Sequence, residues 1–473
     1  MKKLLQVIIF LATAALAQAW QQVNESAPEP PHEFRAAWVA TVYNLDWPSR
    51  AGLSAEAQKQ ELLAILNKAV QLKLNAIILQ VRPNSDAVYK SSIEPWSAWL
   101  SGPGVNPGYD PLAFAIQEAH KRGLELHAWF NPFRATISGR PVGRNHIANR
   151  QPSLLKKAGN TTILNPSNKS AQQHVMRVIL DVVRRYDIDG VHLDDYFYPY
   201  PPHNEIADGK SPAERRAAID TFVRNLYTSV KSTKPWVRVG ISPFGIWQPN
   251  YPAGIKAGVN AYEHLACDAR KWLAKGWVDY LAPQLYWRID SDQSFTALME
   301  WWSSINPNRP VWPGIASARI KSSEDPGRPA SEIAAQIDYS RRMARQSCGQ
   351  LFWSWRSINN NAGGIQKYLK ERYSGYAVPP PMPWSGSVRP ARPRARATDD
   401  GRTTTLSWEP TDGAARKWVI QAGKGKKWKT IAILPNTRRS VPLPSALFDG
   451  CNRIAIRPIS ACGNSGTPAV LAR

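Results

Sequence analysis

The sequence has few of the residues and spacings that mark a metal protein or a disulfide-rich scaffold. It contains 4 cysteines and 5 methionines in 473 residues, which excludes a small fold held together by disulfides. Its histidines show neither HxH nor HExxH spacing, and its cysteines show no zinc-finger spacing. We therefore expect no metal and no cofactor. A metal-dependent hydrolase or deacetylase is an alternative that these absences argue against.

Long apolar runs are also missing after the first 20 residues. No later stretch has 18 uninterrupted apolar residues, so we expect no transmembrane segment. The first stretch has two lysines, an apolar run and then Ala17-Gln18-Ala19, the small-x-small pattern of a signal-peptidase site. This pattern predicts a signal peptide over 1–19 and a soluble protein in the periplasm or outside the cell. No cysteine follows the run, which argues against a lipid anchor.

Acidic residues are scarce relative to basic ones. There are 36 Asp+Glu against 60 Lys+Arg, a net charge of +24, and such a charge attracts polyanions. Residues 385–473 alone hold 16 Lys+Arg against 5 Asp+Glu, a net of +11. No nucleic-acid-binding fingerprint is present, so we expect no nucleic acid partner and instead an acidic envelope polymer bound by the C-terminal part. A solvated basic surface, or polyanion binding driven by charge alone, is the alternative.

The few cysteines leave one question open. Cys451 and Cys462 lie close together in the sequence of an exported chain, so a disulfide between them and two free thiols remain equal alternatives. Cys267 falls in a helical pattern and Cys348 at the start of a strand. Both are expected to be buried thiols rather than a pair or a metal site.

What the sequence does contain is a regular alternation of strands and helices. Continuous apolar runs alternate with patterns of 3.6-residue period, as parallel strands and crossover helices require. Eight such units predict a (β/α)8 TIM barrel over 33–375, with a doubly wound open sheet as the alternative. The predicted strands are 34–42, 75–83, 124–133, 190–197, 236–247, 278–287, 310–320 and 348–358. The predicted helices are 55–73, 110–123, 170–187, 212–231, 262–276, 293–304, 331–346 and 363–373.

The barrel is flanked by segments of different composition. Residues 20–32 are rich in proline and are expected to be a spacer. Residues 376–397 are rich in proline and arginine and are expected to be a linker. Short strand-like runs separated by turn residues fill 398–473, which predicts a small β-sandwich of the fibronectin type III kind.

Two adjacent aspartates mark the end of the fourth predicted strand. Asp194 and Asp195 follow the apolar run GVHL, and active sites of TIM barrels lie at the C-terminal ends of the strands. Carboxylates this close cannot ionise independently, so one of them is expected to have a raised pKa and to act as a proton donor. The alternative is that one caps the following loop and the other pairs with an arginine such as Arg82 or Arg134.

Polar and aromatic side chains are predicted to surround this pair. They lie at the C-terminal ends of the neighbouring strands, and their composition is that of a sugar-binding cleft. Arg82 is expected to bind a substrate carboxylate, with a salt bridge to Asp194 as the alternative. Asn131 and Gln284 are expected to bind sugar hydroxyls, or else the loop backbone. The indoles are expected to stack on sugar rings, with a place in the core as the alternative. His127 and His192 lie mid-strand and are expected to be barrel-interior histidines rather than bases. The expected substrate-binding residues are Trp38, Arg82, Trp129, Asn131, Gln284, Tyr286 and Trp355.

Several long segments resemble a known family. FRAAWVAT, LQVRPNSDAVYKSSIEPWSAWLSG, GYDPLAFAIQEAHKRGLELHAWFNPFRA, DGVHLDDYFYPY and GISPFGIW together look like the glycosyl hydrolase-like 10 family. The resemblance covers roughly 33–375. It implies a barrel that cleaves the glycan of bacterial peptidoglycan in wall remodelling or division, preferentially strands stripped of their stem peptides.

A second, weaker similarity concerns mechanism. Chitinase-like enzymes carry DGxDxDxE on strand four, but in this frame Tyr196 replaces the catalytic glutamate. Other hexosaminidases use two neighbouring acidic residues there. That analogy implies that Asp194 orients the substrate's N-acetyl group, Asp195 is the acid/base, Tyr286 holds the acetamide oxygen and Trp355 lies beneath the sugar. The missing glutamate leaves a non-catalytic, wall-binding scaffold as the alternative.

Overall fold

The computed structural model describes residues 20–201, 206–306, 308–343 and 348–473, so the predicted signal peptide lies outside the described residues. The strands are β1 (Gln21–Val23), β2 (Glu33–Val39), β3 (Ala76–Arg82), β4 (Glu125–Phe130), β5 (Arg134–Thr136), β6 (Leu155–Ala158), β7 (Thr161–Leu164), β8 (Gly190–Leu193), β9 (Arg238–Ile241), β10 (Tyr280–Leu281), β11 (Gly314–Ile315), β12 (Cys348–Phe352), β13 (Arg394–Asp399), β14 (Thr403–Glu409), β15 (Ala415–Lys424), β16 (Lys427–Pro435), β17 (Ser440–Pro444), β18 (Arg453–Ser460) and β19 (Ala469–Ala472).

The helices are α1 (Ala55–Gln71), α2 (Pro111–Lys121), α3 (Ile147–Arg150), α4 (Lys169–Arg185), α5 (Pro212–Thr233), α6 (Ala261–His264), α7 (Ala269–Ala274), α8 (Phe295–Ile305), α9 (Ala330–Met343), α10 (Trp355–Asn359) and α11 (Ile365–Arg372). Polar caps fix where they begin. The Asp110 carboxylate accepts a hydrogen bond from the Ala113 N–H at the start of α2, and Ser211 and Glu214 form a reciprocal capping box on α5. None of these helices is long and apolar enough to cross a membrane.

Eight parallel strands form the predicted barrel. Their order in the sheet is β10-β9-β8-β4-β3-β2-β12-β11, so strands that follow one another along the chain are neighbours in space. Three backbone hydrogen bonds close the ring between the β10 and β11 segments. The Leu281 N–H donates to the Pro310 carbonyl across 3.1 Å, the Trp312 N–H to the Leu281 carbonyl across 2.9 Å, and the Gly314 N–H to the Pro283 carbonyl across 2.8 Å. The TIM-barrel prediction is therefore confirmed, and the open sheet is excluded.

The barrel departs from the predicted elements in two places. The helix predicted over 262–276 is interrupted between α6 and α7, where Ala266 takes a left-handed backbone conformation with φ 53°. The loop after β4 is not irregular, because it contains a three-stranded antiparallel sheet in the order β5-β7-β6. This small sheet stands beside the C-terminal ends of the barrel strands and forms one wall of the site described below.

The C-terminal residues form a separate all-β module. It has two antiparallel sheets, β13-β14-β17 and β1-β19-β18-β15-β16. Strand β1 comes from the segment expected to be a spacer, and Gln21 pairs with Ala472. Trp20 is buried in the core of the same module. The fibronectin type III assignment stays a prediction.

The module docks on the barrel at the N-terminal ends of its strands. The Lys417 ammonium lies 2.9 Å from the Glu125 carboxylate at the start of β4, and Arg416 lies 2.8 Å from Asp187. Gly123 allows the close approach, because a Cβ at this position would lie 2.5 Å from the Ile433 carbonyl oxygen. The opposite face of the barrel, where the strands end, stays open.

The four cysteines are free thiols. No disulfide joins Cys451 and Cys462. Cys267 is buried as expected, although it lies between α6 and α7 and not in a helix. Cys348 is at the start of β12 as expected but is half-buried, so the expectation that it is buried was wrong.

Candidate active site

A cavity of about 500 Å³ opens at the C-terminal ends of the barrel strands. Its size is within the range of small-molecule sites. Its walls combine aromatic rings, amides and hydroxyls with two carboxyl groups and one guanidinium. The lining residues are Trp38, Val42, Tyr43, Leu45, Gln80, Trp129, Arg134, Thr136, Ile137, Thr161, Asp194, Asp195, Tyr196, Ser242, Gln284, Tyr286 and Trp353.

Asp194 is the first residue after β8 and is half-buried in the cavity wall. The side-chain amide of Asn131 and the backbone N–H of Tyr196 both donate to its carboxylate. Burial raises the pKa of Asp194, while the positive charge of Arg134 and these hydrogen bonds act in the opposite direction. The donors hold the carboxylate in one orientation and favour its ionised form.

Asp195 is more deeply buried, with 6% of its surface exposed. The Tyr200 hydroxyl donates a hydrogen bond to its carboxylate. Burial and the neighbouring negative charge of Asp194 together raise the pKa of Asp195 to about 7. This side chain can therefore carry a proton near neutral pH, which is what a general acid requires.

A chain of amides fixes the orientation of the Asn131 side chain. The backbone N–H groups of Thr41 and Val42 each donate to Gln80 Oε1 across 2.9 Å. The Gln80 amide must then present its Nε2 to Asn131 Oδ1, at 2.6 Å. Asn131 must then present its own NH2 group to Asp194. The backbone N–H groups of Thr41 and Val42 therefore determine, through Gln80, which atom of Asn131 faces the carboxylate.

Three indoles form the aromatic part of the cavity. The Trp353 ring lies edge-on to Trp38 at 6.3 Å and to Trp129 at 6.1 Å between centroids. Trp38 is also anchored from below, because its Nε1 donates to His192 Nε2 across 3.0 Å. Flat aromatic surfaces of this kind stack well on pyranose rings.

Comparison with known proteins identifies the family of this chain. The glycosyl hydrolase-like 10 family model matches residues 33–327. The glycosyl hydrolase YngK of Bacillus subtilis is 36% identical over 431 residues, covering 84% of this chain and 84% of its own. The chain belongs to the glycosyl hydrolase-like 10 family. It is a glycosidase.

A second relative and one solved structure are also similar to this chain. The glycosyl hydrolase DigH of Escherichia coli (strain K12) is 34% identical over 323 residues, covering 61% of this chain and 74% of its own. The glycoside hydrolase domain of PgaB (BpsB) from Bordetella bronchiseptica is 11% identical, covering 72% of this chain and 99% of its own, with a TM-score of 0.48. The assignment to the glycosyl hydrolase-like 10 family rests on the sequence matches.

Arg82 lies away from the cavity of this glycosidase. Its guanidinium is fully buried and pairs with Glu94 at 2.6 Å. Burial alone would raise the pKa of Glu94, but the charge of Arg82 and the hydrogen bond from His174 outweigh it and set the pKa at about 2. Arg82 also donates to the Asn131 carbonyl across 2.6 Å. Its position therefore corrects the expectation of substrate binding and gives Arg82 a role in supporting the Asn131 segment.

Trp355 is also outside the cavity. Strand β12 ends at Phe352, and Trp355 starts helix α10 with its ring buried in the core at 2% exposure. Trp353, two residues earlier, is the indole that reaches the cavity. The expectation that Trp355 lies beneath a sugar in the cavity is therefore corrected.

The remaining predicted residues lie in the cavity wall or directly behind it. Trp38, Trp129, Gln284 and Tyr286 line the cavity, while Asn131 lies behind Asp194 and reaches the cavity only through it. Gln284 donates to the Ser242 carbonyl across 3.1 Å. Burial and the charge of Asp195 raise the pKa of Tyr286 well above its usual value, so its hydroxyl stays protonated and can donate.

The two mid-strand histidines are interior residues. His192 is fully buried and contacts the Tyr280 hydroxyl at 2.9 Å. Burial lowers the pKa of His192 well below its usual value, so the ring is neutral. His127 contacts the same hydroxyl at 3.1 Å. In the described part of the chain, no group of three or more His, Cys, Asp or Glu side chains is arranged to hold a metal ion.

Arg134 and Tyr43 are among the cavity residues that the sequence did not mark as substrate-binding. Arg134 reaches the cavity from β5, with its guanidinium 4.9 Å from the Tyr196 ring centroid. Tyr43 is 61% exposed and has a left-handed backbone with φ 57°, as has Asn44 with φ 51°. The Asn44 side chain braces this turn by donating to the Trp99 carbonyl across 2.8 Å. A large aromatic residue is costly in this conformation, and such strain is concentrated at functional sites.

Proposed function

We propose that this glycosidase cleaves the N-acetylated glycan strands of bacterial peptidoglycan, preferentially strands stripped of stem peptides. The observation that carries the proposal is the difference between two adjacent carboxyl groups in an aromatic-lined cavity. Burial and the charge of Asp194 raise the pKa of Asp195 to about 7. Burial raises the pKa of Asp194 as well, but Arg134 and the donors Asn131 and Tyr196 N–H oppose that rise. Pairs of titratable groups with separated pKa values are typical of an acid and its charged partner.

The chemistry follows a substrate-assisted, retaining route. Asp194 accepts a hydrogen bond from the N–H of the acetamide and turns the acetamide oxygen toward the anomeric carbon. That oxygen forms a bond to the carbon as the bond to the leaving oxygen breaks, and Asp195 gives its proton to the leaving oxygen. Asp195 then takes a proton from water, whose oxygen opens the cyclic intermediate and restores the acetamide. The Tyr286 hydroxyl would donate to the acetamide oxygen.

Family resemblance and sequence support the substrate and its location. The motifs from FRAAWVAT to GISPFGIW imply a wall glycan, and the N-terminal pattern predicts export to the periplasm or the medium. Every sugar of this glycan carries the N-acetyl group that the route needs. A role in wall remodelling or division follows from this substrate.

The C-terminal module would contribute attachment. Its lysines and arginines leave it strongly basic, and Arg394, Arg396, Lys427 and Lys429 have exposed side chains. Such a surface suits an anionic envelope polymer. The test is co-sedimentation with sacculi that carry or lack their anionic polymers, and charge-reversal of Arg394 and Arg396 should weaken binding only to the former.

The test of the catalytic proposal is a digestion. Residues 20–473 are incubated with intact sacculi and with amidase-stripped glycan strands, and the products are read by mass spectrometry. Wild type should release fragments from stripped strands, and the new end identifies the bond. Asp194→Asn and Asp195→Asn should each lower the rate at least about 1,000-fold. Asp449→Asn, on the exposed surface of the C-terminal module, is the matched control and should cleave normally.

Other outcomes would change the assignment. Sedimentation with sacculi and no release by any variant would indicate a wall-binding scaffold. Full activity of Asp194→Asn would remove the acetamide-orienting role. Cleavage of uncharged N-acetylglucosamine polymers but not of stripped strands would keep the glycosidase and overturn the peptidoglycan substrate.

A further inference from the structure

Arg134 is the one cation among the described residues that line the catalytic cavity. It extends from β5, and its backbone is fixed on both sides. Residue 134 pairs with Ile163 of β7, and the Ser85 hydroxyl donates to its carbonyl across 3.0 Å. Its guanidinium stacks on the Tyr196 ring at 4.9 Å. The side chain is thus placed by a wall of the cavity and is not a mobile surface arginine.

The charge of Arg134 has no ion-pair partner within the described chain. By contrast, the fully buried Arg82 is neutralised by Glu94 at 2.6 Å. Arg134 makes no such pair with Asp194, although its charge is felt there. Asp194 instead receives hydrogen bonds from Asn131 and the Tyr196 N–H. The guanidinium therefore keeps its donors for a ligand, and in a half-buried position a charge-assisted hydrogen bond is stronger than on the surface.

We propose that Arg134 binds the free lactyl carboxylate of an N-acetylmuramic acid residue and thereby selects strands that have lost their stem peptides. The inference rests on the proposed function and adds the residue that would set its preference. A planar guanidinium matches a carboxylate with two parallel hydrogen bonds. No lysine or histidine lines the described cavity to compete for this role.

The preference follows from the chemistry of the lactyl group. In intact peptidoglycan its carboxyl carbon forms an amide with the stem peptide, so it has no charge and carries a bulky substituent. An amidase releases the peptide and leaves a carboxylate at the same carbon. Arg134 would then gain an ion pair with the stripped strand and face an uncharged amide in the intact one.

The test uses three preparations of the same glycan. Amidase-stripped strands carry free carboxylates, a second portion has each carboxyl converted to its methylamide, and a third is intact. Initial rates are measured at the pH optimum of each enzyme variant. Wild type should cleave free-carboxylate strands with a kcat/KM about 10- to 100-fold above that for methylamide strands, the range of one charge-assisted hydrogen bond. Arg134→Gln should bring this ratio close to one, and Arg134→Lys should keep part of it.

A matched control and a binding measurement separate this role from a general electrostatic one. Arg144→Gln changes an exposed arginine outside the cavity and should leave the wild-type ratio. Calorimetry with Asp195→Asn and with Asp195→Asn/Arg134→Gln should show weaker binding of free-carboxylate strands by the double variant and equal binding of methylamide strands.

The outcomes also separate the inference from the proposed function. If wild type cleaves both preparations equally, or if Arg134→Gln slows both by the same factor, Arg134 acts only on the charge of Asp194 and the inference is wrong. If wild type cleaves no preparation while remaining folded, the proposed function itself fails. A preference for methylamide strands would overturn the carboxylate assignment.

Discussion

The Gln80 side-chain amide donates a hydrogen bond to Asn131 Oδ1 across 2.6 Å. Gln80 is near the end of β3 and Asn131 directly follows β4, so this contact joins two neighbouring barrel strands behind Asp194 and Asp195. Since backbone N–H groups fix the Gln80 amide, the contact leaves the NH2 group of Asn131, and not its oxygen, to meet Asp194.

Replacing Asn131 should therefore impair catalysis without removing a group that reacts. Asn131→Leu removes a donor that lowers the pKa of Asp194, so the acid limb of the pH profile should move to higher pH. The value of kcat should fall roughly 100-fold, as for loss of one oriented donor. Steady-state kinetics across pH measures both. Asn145→Leu, an exposed change, should alter neither, and an unmoved acid limb in Asn131→Leu would separate Asn131 from Asp194.

The alkaline limb should report Asp195. As a general acid it must be protonated, and its pKa is about 7, so kcat/KM should fall as pH rises through about that value. Tyr200→Phe removes a donor that lowers this pKa, so the limb should shift to higher pH. Tyr339→Phe on the protein surface serves as the control. A limb that stays in place in Tyr200→Phe would assign it to another group.

Asp195 should also cost stability. Its pKa is raised from 3.8 in the unfolded chain to about 7, so the unfolded state loses this proton first as pH rises. As the pH rises from about 3.8 to about 7, the free energy of unfolding therefore falls, by at most about 4 kcal/mol. Asp195→Asn should be more stable than wild type near about pH 8 and similar to it near about pH 4, measured by chemical unfolding. Equal stability at both would contradict the burial of this charge.

The buried pair of Arg82 and Glu94 should give stability the opposite dependence on pH. The pKa of Glu94 is lowered from 4.5 to about 2, so its stabilisation is present above the higher value and is lost as pH falls toward the lower one. Arg82→Met leaves the buried Glu94 carboxylate with His174 but without its arginine, and should cost about 3–5 kcal/mol near neutral pH. Arg82→Met/Glu94→Gln should recover much of that loss, and unfolding curves of the three proteins decide it.

Tyr43 should bind substrate at the edge of the cavity. Tyr43→Ala should raise KM for long strands about tenfold, the scale of one aromatic contact, with little change in kcat. Strands too short to reach the edge should show no difference. Tyr251→Ala, another exposed aromatic, is the control. A lower kcat at constant KM would place Tyr43 in positioning rather than binding.

Periodicity was enough to predict the barrel and the position of Asp194 and Asp195, because strand order and strand ends follow from apolar patterns. It could not place Trp355, since the start of α10 at that residue interrupts strand alternation. It also missed the pairing of Arg82, because Glu94 lies in a loop with no regular period. The position of Arg134 depends on the pairing of β5 with β7. Strands of three and four residues are too short to give a sequence pattern that predicts this pairing.

The pairing of β1 with β19 joins the two ends of the described chain in one sheet. In chain order β1 precedes the barrel and β19 follows it, so during synthesis β1 can pair with β19 only after the whole barrel has emerged. Trp20 stays uncovered for the same interval. The sheet of the module therefore forms only after the barrel and β19 have both been synthesised.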